Sequence, residues 1–259
     1  MTNYFMNWTL DQYRRICIEL KNSGYVTKTI QAFYEHPVSN CVLLRHDIDR
    51  FPDNALAMAR LEHELKCVGS YYVRFNQHTL DSEIIKEIAS LGHEIGYHYE
   101  TLSKCGGDRR RALHLFGEEL SKLREIVPIK TATAHGRPFS RWNNQSLLTR
   151  SDVDIFELSC EAYLDINYSN IAYITDTGRC WNAASTNFRD KVESNIDISF
   201  IVTTQKLLEA IAAKNFSTLC LQIHPERWSY SFLSHCRSQV LDFTANSFKR
   251  LIRKTRTRM

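Results

Sequence analysis

A chain of 259 residues with 43% hydrophobic, 24% charged and 11% aromatic content is globular in composition, which excludes disordered, collagen-like and disulfide-miniature classes. Its length suits one large α/β domain or two small ones, either with a full core, and 9 glycines and 5 prolines leave little material for flexible linkers. The net charge of +4 is unevenly spread: six of the 33 basic residues lie in residues 249–259, so the remainder, with 27 basic against 29 acidic, is slightly acidic.

That basic tail reads as a solvated chain end, and no nucleic-acid partner is expected. The eight cysteines form no Cys-x-x-Cys pair, and several sit in apolar runs such as Leu219-Cys220-Leu221. They read as small buried hydrophobes of a reducing compartment. The first residues lack the basic and apolar regions of a signal peptide, and no run approaches the 18 apolar residues of a membrane span. The expectation is a cytoplasmic protein with no membrane span. It forms a single catalytic domain over 1–259, with a helical extension over 1–40 and the tail over 249–259 as appendages.

Along the chain, Thr9 caps a helix with Tyr13, Ile16, Cys17 and Leu20 at helical spacing, and Gly24 stops it. Cys41–Leu44 is a strand running into the polar tip Arg45-His46-Asp47-Ile48-Asp49. A helix over 53–66, a strand over 70–75, a helix over 81–91 capped by Asp81, and a strand over 93–99 follow. Residues 109–126 read as a long helix and 131–135 as a strand. Strands over 170–175 and 218–223 flank a helix over 204–214, and 229–258 reads as mostly helix. Strands alternating with helices predict a parallel sheet with outer helices, either a (β/α) barrel or an open sheet.

Polar clusters follow four of the apolar strands, at the C-terminal edge where such folds carry their sites. They are Arg45–Asp49, Gly92–Glu100, Ala134–Phe139 and Gln222–Trp228, and they contain His46, His98, His135 and His224. Asp47 and Asp49 share a strand face, and two adjacent carboxylates repel unless a cation or proton lies between them. His93 and His98 are five apart, so His98 takes the site and His93 packs. An aspartate, two imidazoles and an open position make up the ligand set of a catalytic divalent metal.

Other readings of Asp47-Ile48-Asp49 are weaker. Phosphatases with an aspartyl nucleophile have Thr or Val where Phe51 stands, and they need later Lys and Asp-Asp elements that are missing here. A metal-binding Asp-x-Asp of nucleotide-sugar glycosyltransferases leaves the histidine clusters unexplained. Non-haem iron oxygenases share the two-histidine, one-carboxylate set but sit on all-β sandwiches.

In order, these residues resemble the polysaccharide deacetylases, the NodB-homology superfamily of metal-dependent amide and ester hydrolases. Arg45-His46-Asp47-Ile48-Asp49 is similar to the first motif of that family and Gly92-His93-Glu94-Ile95-Gly96-Tyr97-His98 to the second. Gly136-Arg137-Pro138-Phe139 resembles the third, Asp176 with Trp181 the fourth, and Leu221-Gln222-Ile223-His224 the fifth. The resemblance spans roughly residues 41–228 and is nearest to a branch with His-Asp-x-Asp and His-Pro-x-x-Trp variants, linked to bacterial surface polysaccharides.

The resemblance implies a distorted (β/α) barrel and a zinc-like ion held by an Asp-His-His set. Carried over, Asp47 is the base, Asp49 and His98 are ligands, and His224 is the acid. Arg137 orients the base, while Asp176 and Trp181 hold and cover His224. Two departures from the family matter. Ile48 separates aspartates that are normally adjacent, which leaves the roles of Asp47 and Asp49 exchangeable. Leu102 stands where the second motif supplies another histidine, so the third ligand falls to His135, with Glu100 next.

The expected activity is removal of an acetyl group from an N-acetylated sugar or related amide. The alternative is an inactive carbohydrate-binding relative without the metal. Phe139, Trp181 and Trp228 are the expected substrate-facing aromatics; like Trp142, they either stack on a sugar ring or simply fill a loop-rich rim.

Overall fold

The alternation of short apolar runs and amphipathic segments is realised as parallel strands with helices packed outside them. The computed structural model describes residues 7–137, 140–181, 189, 191–229, 238, 239 and 243. Phe139, the basic tail and nearly all of the helix expected over 229–258 lie outside the described residues.

Thr9 accepts a hydrogen bond from the Gln12 N–H at 3.3 Å and opens α1 (Leu10–Asn22). Gly24, at φ +72°, takes the left-handed conformation that turns the chain away. β1 (Val26–Lys28), α2 (Ile30–Glu35), β2 (Cys41–Ile48), α3 (Pro52–Glu64), β3 (Ser70–Arg74), α4 (Ser82–Ser90) and β4 (Glu94–Tyr99) follow. Then come α5 (Thr101–Lys104), α6 (Arg109–Arg124), β5 (Thr131–Ala134), α7 (Arg150–Ile155), β6 (Cys160–Glu161), β7 (Ala172–Thr175), α8 (Thr204–Ala212) and β8 (Thr218–Ile223). Short 3₁₀ turns cover Asn144–Ser146 and Pro225–Arg227.

All described strand pairs are parallel, in the order β6-β5-β4-β3-β2-β8-β7, with β1 beside the first half of β2. The sheet curls into a half-barrel whose edge strands, β6 and β7, do not pair among the described residues. The expected α/β class and parallel sheet are present, and the curvature is barrel-like.

Strand alternation sorts the side chains. Along β2, Val42 and Leu44 face outward into a core shared with α1 and α8, whereas Cys41 and Leu43 face inward with Tyr72, Tyr173 and Cys220. A third cluster packs α3, α4 and α6 on β3, β4 and β5. The N-terminal residues are more than a helical extension, because β1 joins the sheet and α1 buries Tyr13, Ile16, Cys17 and Leu20 in the main core. Among the described residues no helix is long and apolar enough to cross a membrane.

Candidate metal centre

The strands carry their polar residues to one rim of the half-barrel. β2 is longer than its apolar run, so Arg45 and Asp47 belong to the strand itself and are fully buried within it. Asp49 follows at the strand end, beside the imidazoles of His98 on β4 and His135 just after β5. Donor atoms of Asp49, His98 and His135 all lie within 4.8 Å of one another. The Asp49 Oδ1 is 3.6 Å from His98 Nε2 and 3.5 Å from His135 Nε2.

Each imidazole is fixed through its other nitrogen. His98 Nδ1 lies 3.1 Å from the Thr133 carbonyl, and a carbonyl only accepts, so Nδ1 carries the proton and Nε2 is left as a donor to a metal. His135 Nδ1 lies 3.1 Å from Glu100 Oε2. Glu100, the second candidate for third ligand, therefore serves as the partner that orients His135, and Arg74 Nη2 binds both its oxygens at 3.0 Å. Leu102 sits in α5, buried in the core, and adds no donor to this cluster.

These residues fit a divalent metal. Among the described residues Asp49 Oδ1 is buried without a hydrogen-bond partner, although two ring nitrogens face it. Tetrahedral bonds of roughly 2.0–2.1 Å place donors roughly 3.3–3.4 Å apart, close to the separations observed.

Asp47 is differently placed. Arg45 Nε and Nη2 bind its two oxygens at 2.9 and 2.8 Å, and Gln222 Nε2 donates to Oδ2 at 2.7 Å. Burial opposes ionisation, but the Arg45 guanidinium holds the carboxyl well below the usual carboxylate range. With three hydrogen bonds from Arg45 and Gln222 on roughly four acceptor sites, Asp47 is the less suited of the two aspartates to bind a metal. Its Oδ2 is nevertheless 3.7 Å from His98 Nε2.

The guanidinium on Asp47 is thus that of Arg45, not Arg137. Arg137, on the loop after β5, approaches Glu100 at 3.8 Å and is 43% exposed. Arg45 was hidden in the sequence because its neighbours His46 and Asp47 read as the chemistry. His46 itself is not at the rim, since strand alternation turns it outward, where Nε2 lies 2.7 Å from Glu62 and its ring stacks on Tyr71. His93 also faces outward, with Nε2 3.0 Å from the Ala59 carbonyl.

A ring of hydrogen bonds closes beneath Asp47. Arg45 Nη2 donates to Tyr163 Oη at 3.1 Å, the Tyr163 and Tyr173 hydroxyls lie 3.3 Å apart, and Tyr173 Oη donates to Gln222 Oε1 at 2.8 Å. Gln222 returns to Asp47. Tyr163, Tyr173 and Gln222 carried no sequence signal as a group, because tertiary structure alone brings them together.

At the end of β8, His224 Nδ1 lies 2.6 Å from Asp176 Oδ1. The same carboxylate accepts from the His224 N–H at 3.0 Å, Arg227 Nη1 at 2.6 Å and Trp228 Nε1 at 2.8 Å. Burial and the Arg227 charge lower the His224 imidazole, but Asp176 outweighs them and the net direction is upward. Asp176 thus holds both the imidazole and the backbone N–H of His224. The indole on Asp176, however, belongs to Trp228, whereas Trp181 donates to Thr204 Oγ1 at 3.1 Å. Both indoles are 1% exposed and pack with Trp8, so neither offers a face to a sugar.

Comparison of the chain with protein-family models gave no match, and comparison with curated proteins gave none.

Proposed function

We propose that this chain is a metal-dependent hydrolase, on a barrel of the polysaccharide deacetylase type, that removes the acetyl group from an N-acetylated sugar or related amide. The observation that carries this reading is the placement, on one rim, of the Asp49–His98–His135 cluster and the Asp176–His224 pair. When bound by that cluster, a divalent ion such as zinc supplies Lewis acidity toward an acyl oxygen and acidifies water.

The remaining roles fall to side chains. Asp47, kept ionised by Arg45, takes the proton of the attacking water. His224 has Nδ1 engaged by Asp176, which leaves Nε2 to give a proton to the departing nitrogen. The tie to Asp176 also favours the charged imidazole that this role needs.

Elemental analysis of the purified chain beside Asp49→Ala tests the reading. Near-stoichiometric zinc or another transition metal, lost in the variant, is the expected result. Absence of metal even after refeeding overturns the hydrolase and leaves the rival, a carbohydrate-binding relative.

A further inference from the structure

A cleft between the N-terminal half of α1 and the start of α8 takes no part in this chemistry. It encloses about 340 Å³, within the range of small-ligand sites, and Trp8, Arg15, Arg179, Val202, Thr203 and Thr204 are on its walls. No residue of the metal cluster lines it, and neither do Asp47, Asp176 and His224.

The walls offer hydrogen-bond donors. Thr204 Oγ1 accepts the Trp181 Nε1–H at 3.1 Å and Thr203 Oγ1 accepts the Lys206 N–H at 3.2 Å, so each hydroxyl keeps its own proton to give. Of the lining amides, Gln12 Oε1 is taken by the Trp8 N–H at 2.8 Å and Asn7 Oδ1 by Gln12 Nε2 at 3.1 Å. Trp8 is only 8% exposed, yet its Nε1–H meets no acceptor among the described residues.

Charge points the same way. Arg15 is exposed and makes no hydrogen bond or ion pair among the described residues. Its neighbour Arg14, by contrast, is held by Glu64 through two hydrogen bonds of 2.9 and 2.8 Å. Arg179 adds a second guanidinium, fixed by the Arg227 carbonyl at 3.2 Å and Ser238 Oγ at 2.7 Å. No carboxylate lines the cleft among the described residues.

The walls are also preset. Trp8 and Arg179 hold left-handed backbone at φ +71° and +57°, a cost that persists where the surroundings fix the geometry. Here the Ser229 N–H donates to the Trp8 carbonyl at 3.0 Å, and the Arg179 N–H to the Asp176 carbonyl at 2.9 Å.

Guanidinium groups, hydroxyls and an indole N–H without a carboxylate complement an anion rich in acceptor oxygens. Donors spread over α1, residue 179 and α8 suit a tetrahedral phosphate better than a planar carboxylate, which one guanidinium fork satisfies. The cleft exceeds a bare phosphate, and the remaining room is bordered by Leu208 and by Val202, which is 54% exposed. We propose that this cleft binds the phosphate group of a small phosphate ester, with Arg15 as its cationic contact and the organic part against Val202 and Leu208. The proposal stands independently of the deacetylase reading.

The test is calorimetric titration of the full chain with inorganic phosphate and with phenyl phosphate at constant ionic strength. Wild type, Asp49→Ala, Arg15→Gln and Arg14→Gln are compared. Asp49→Ala separates the cleft from a metal ion that could itself hold phosphate, and wild type stripped by a chelator serves if that variant does not fold. Saturable binding of equal affinity is expected in wild type and Asp49→Ala, with phenyl phosphate the tighter ligand. Arg15→Gln is expected to weaken both ligands by roughly tenfold or more, with thermal unfolding of the free protein unchanged. Arg14→Gln removes the same charge one residue away and is expected to change affinity by less than about twofold. No saturable binding, binding lost together with the metal, equal effects of the two arginine variants, or phenyl phosphate no tighter than phosphate overturns the proposal.

Discussion

His98 and His135 stand side by side with their ring centroids 5.1 Å apart and titrate in opposite directions. Burial takes the His98 imidazole down to about 4. Burial acts the same way on His135, but the Asp49 and Glu100 carboxylates outweigh it and carry that imidazole up to about 9. Without metal, His135 is therefore charged at neutral pH while His98 is not, and an incoming ion has to displace the His135 proton. Apparent zinc affinity is expected to rise about tenfold per pH unit from pH 6 to 8 and to level off near 9, with about one proton released per ion at pH 7. Titrations in buffers of different ionisation enthalpy measure that release directly. A flat pH dependence would place His135 outside the ligand set.

Among the elements, β4 shows why a residue type stands where it does. Gly96 faces the inside of the half-barrel, and a Cβ there would lie 2.3 Å from Tyr72 Cε1 and 2.9 Å from Thr131 Oγ1. Gly96 lets β3 and β5 bring their side chains close while His98, two residues on, reaches the rim. Gly96→Ala is expected to cost about 1–3 kcal/mol through overpacking. It should also weaken metal retention, because His98 shifts with the strand. Urea unfolding with zinc analysis of the same preparation reads both effects, and unchanged stability would mean that Tyr72 can swing aside. Element by element, α1, α3, α4, α6 and α8 were legible because each carries an apolar stripe, and α1, α4, α6 and α8 a side-chain cap as well. β1 with three residues and β6 with two are too short for any periodicity to register. The outward turn of His46 was readable from its adjacency to Asp47 in a single strand, a constraint that clustering the histidines by motif overrides.

For the molecule as a whole, the open seam between β6 and β7 decides how Asp47 is held. Among the described residues no strand hydrogen bonds cross it, but the Tyr163–Tyr173 contact does, and through Arg45 and Gln222 that contact reaches Asp47 from both sides. The seam contact and the placement of Asp47 are thus one network, with the Arg45 guanidinium 4.5 Å from the centre of the Tyr163 ring. Tyr173→Phe removes the donor to Gln222 Oε1 and leaves a buried acceptor bare, at an expected cost of about 1–3 kcal/mol. Combined with Tyr163→Phe, the losses should fall short of additivity, because both break the same ring. Thermal unfolding of the single and double variants checks this, and strict additivity would show two independent hydroxyls.

From the sequence alone follow the α/β class, the parallel sheet, the rim on which polar residues gather, and the candidacy of Asp47, Asp49, His98, His135, Asp176 and His224. Those properties follow from apolar periodicity and from polar residues placed just after apolar runs, which are local and one-dimensional. Only the tertiary structure decided that Arg45 and not Arg137 binds Asp47, that Glu100 orients His135, and that Trp228 and not Trp181 binds Asp176. It also turned the indoles of Trp181 and Trp228 into core. Each of these depends on which strands lie next to each other and which way a side chain turns, and distances between residues far apart in the chain exist only once the sheet has curled.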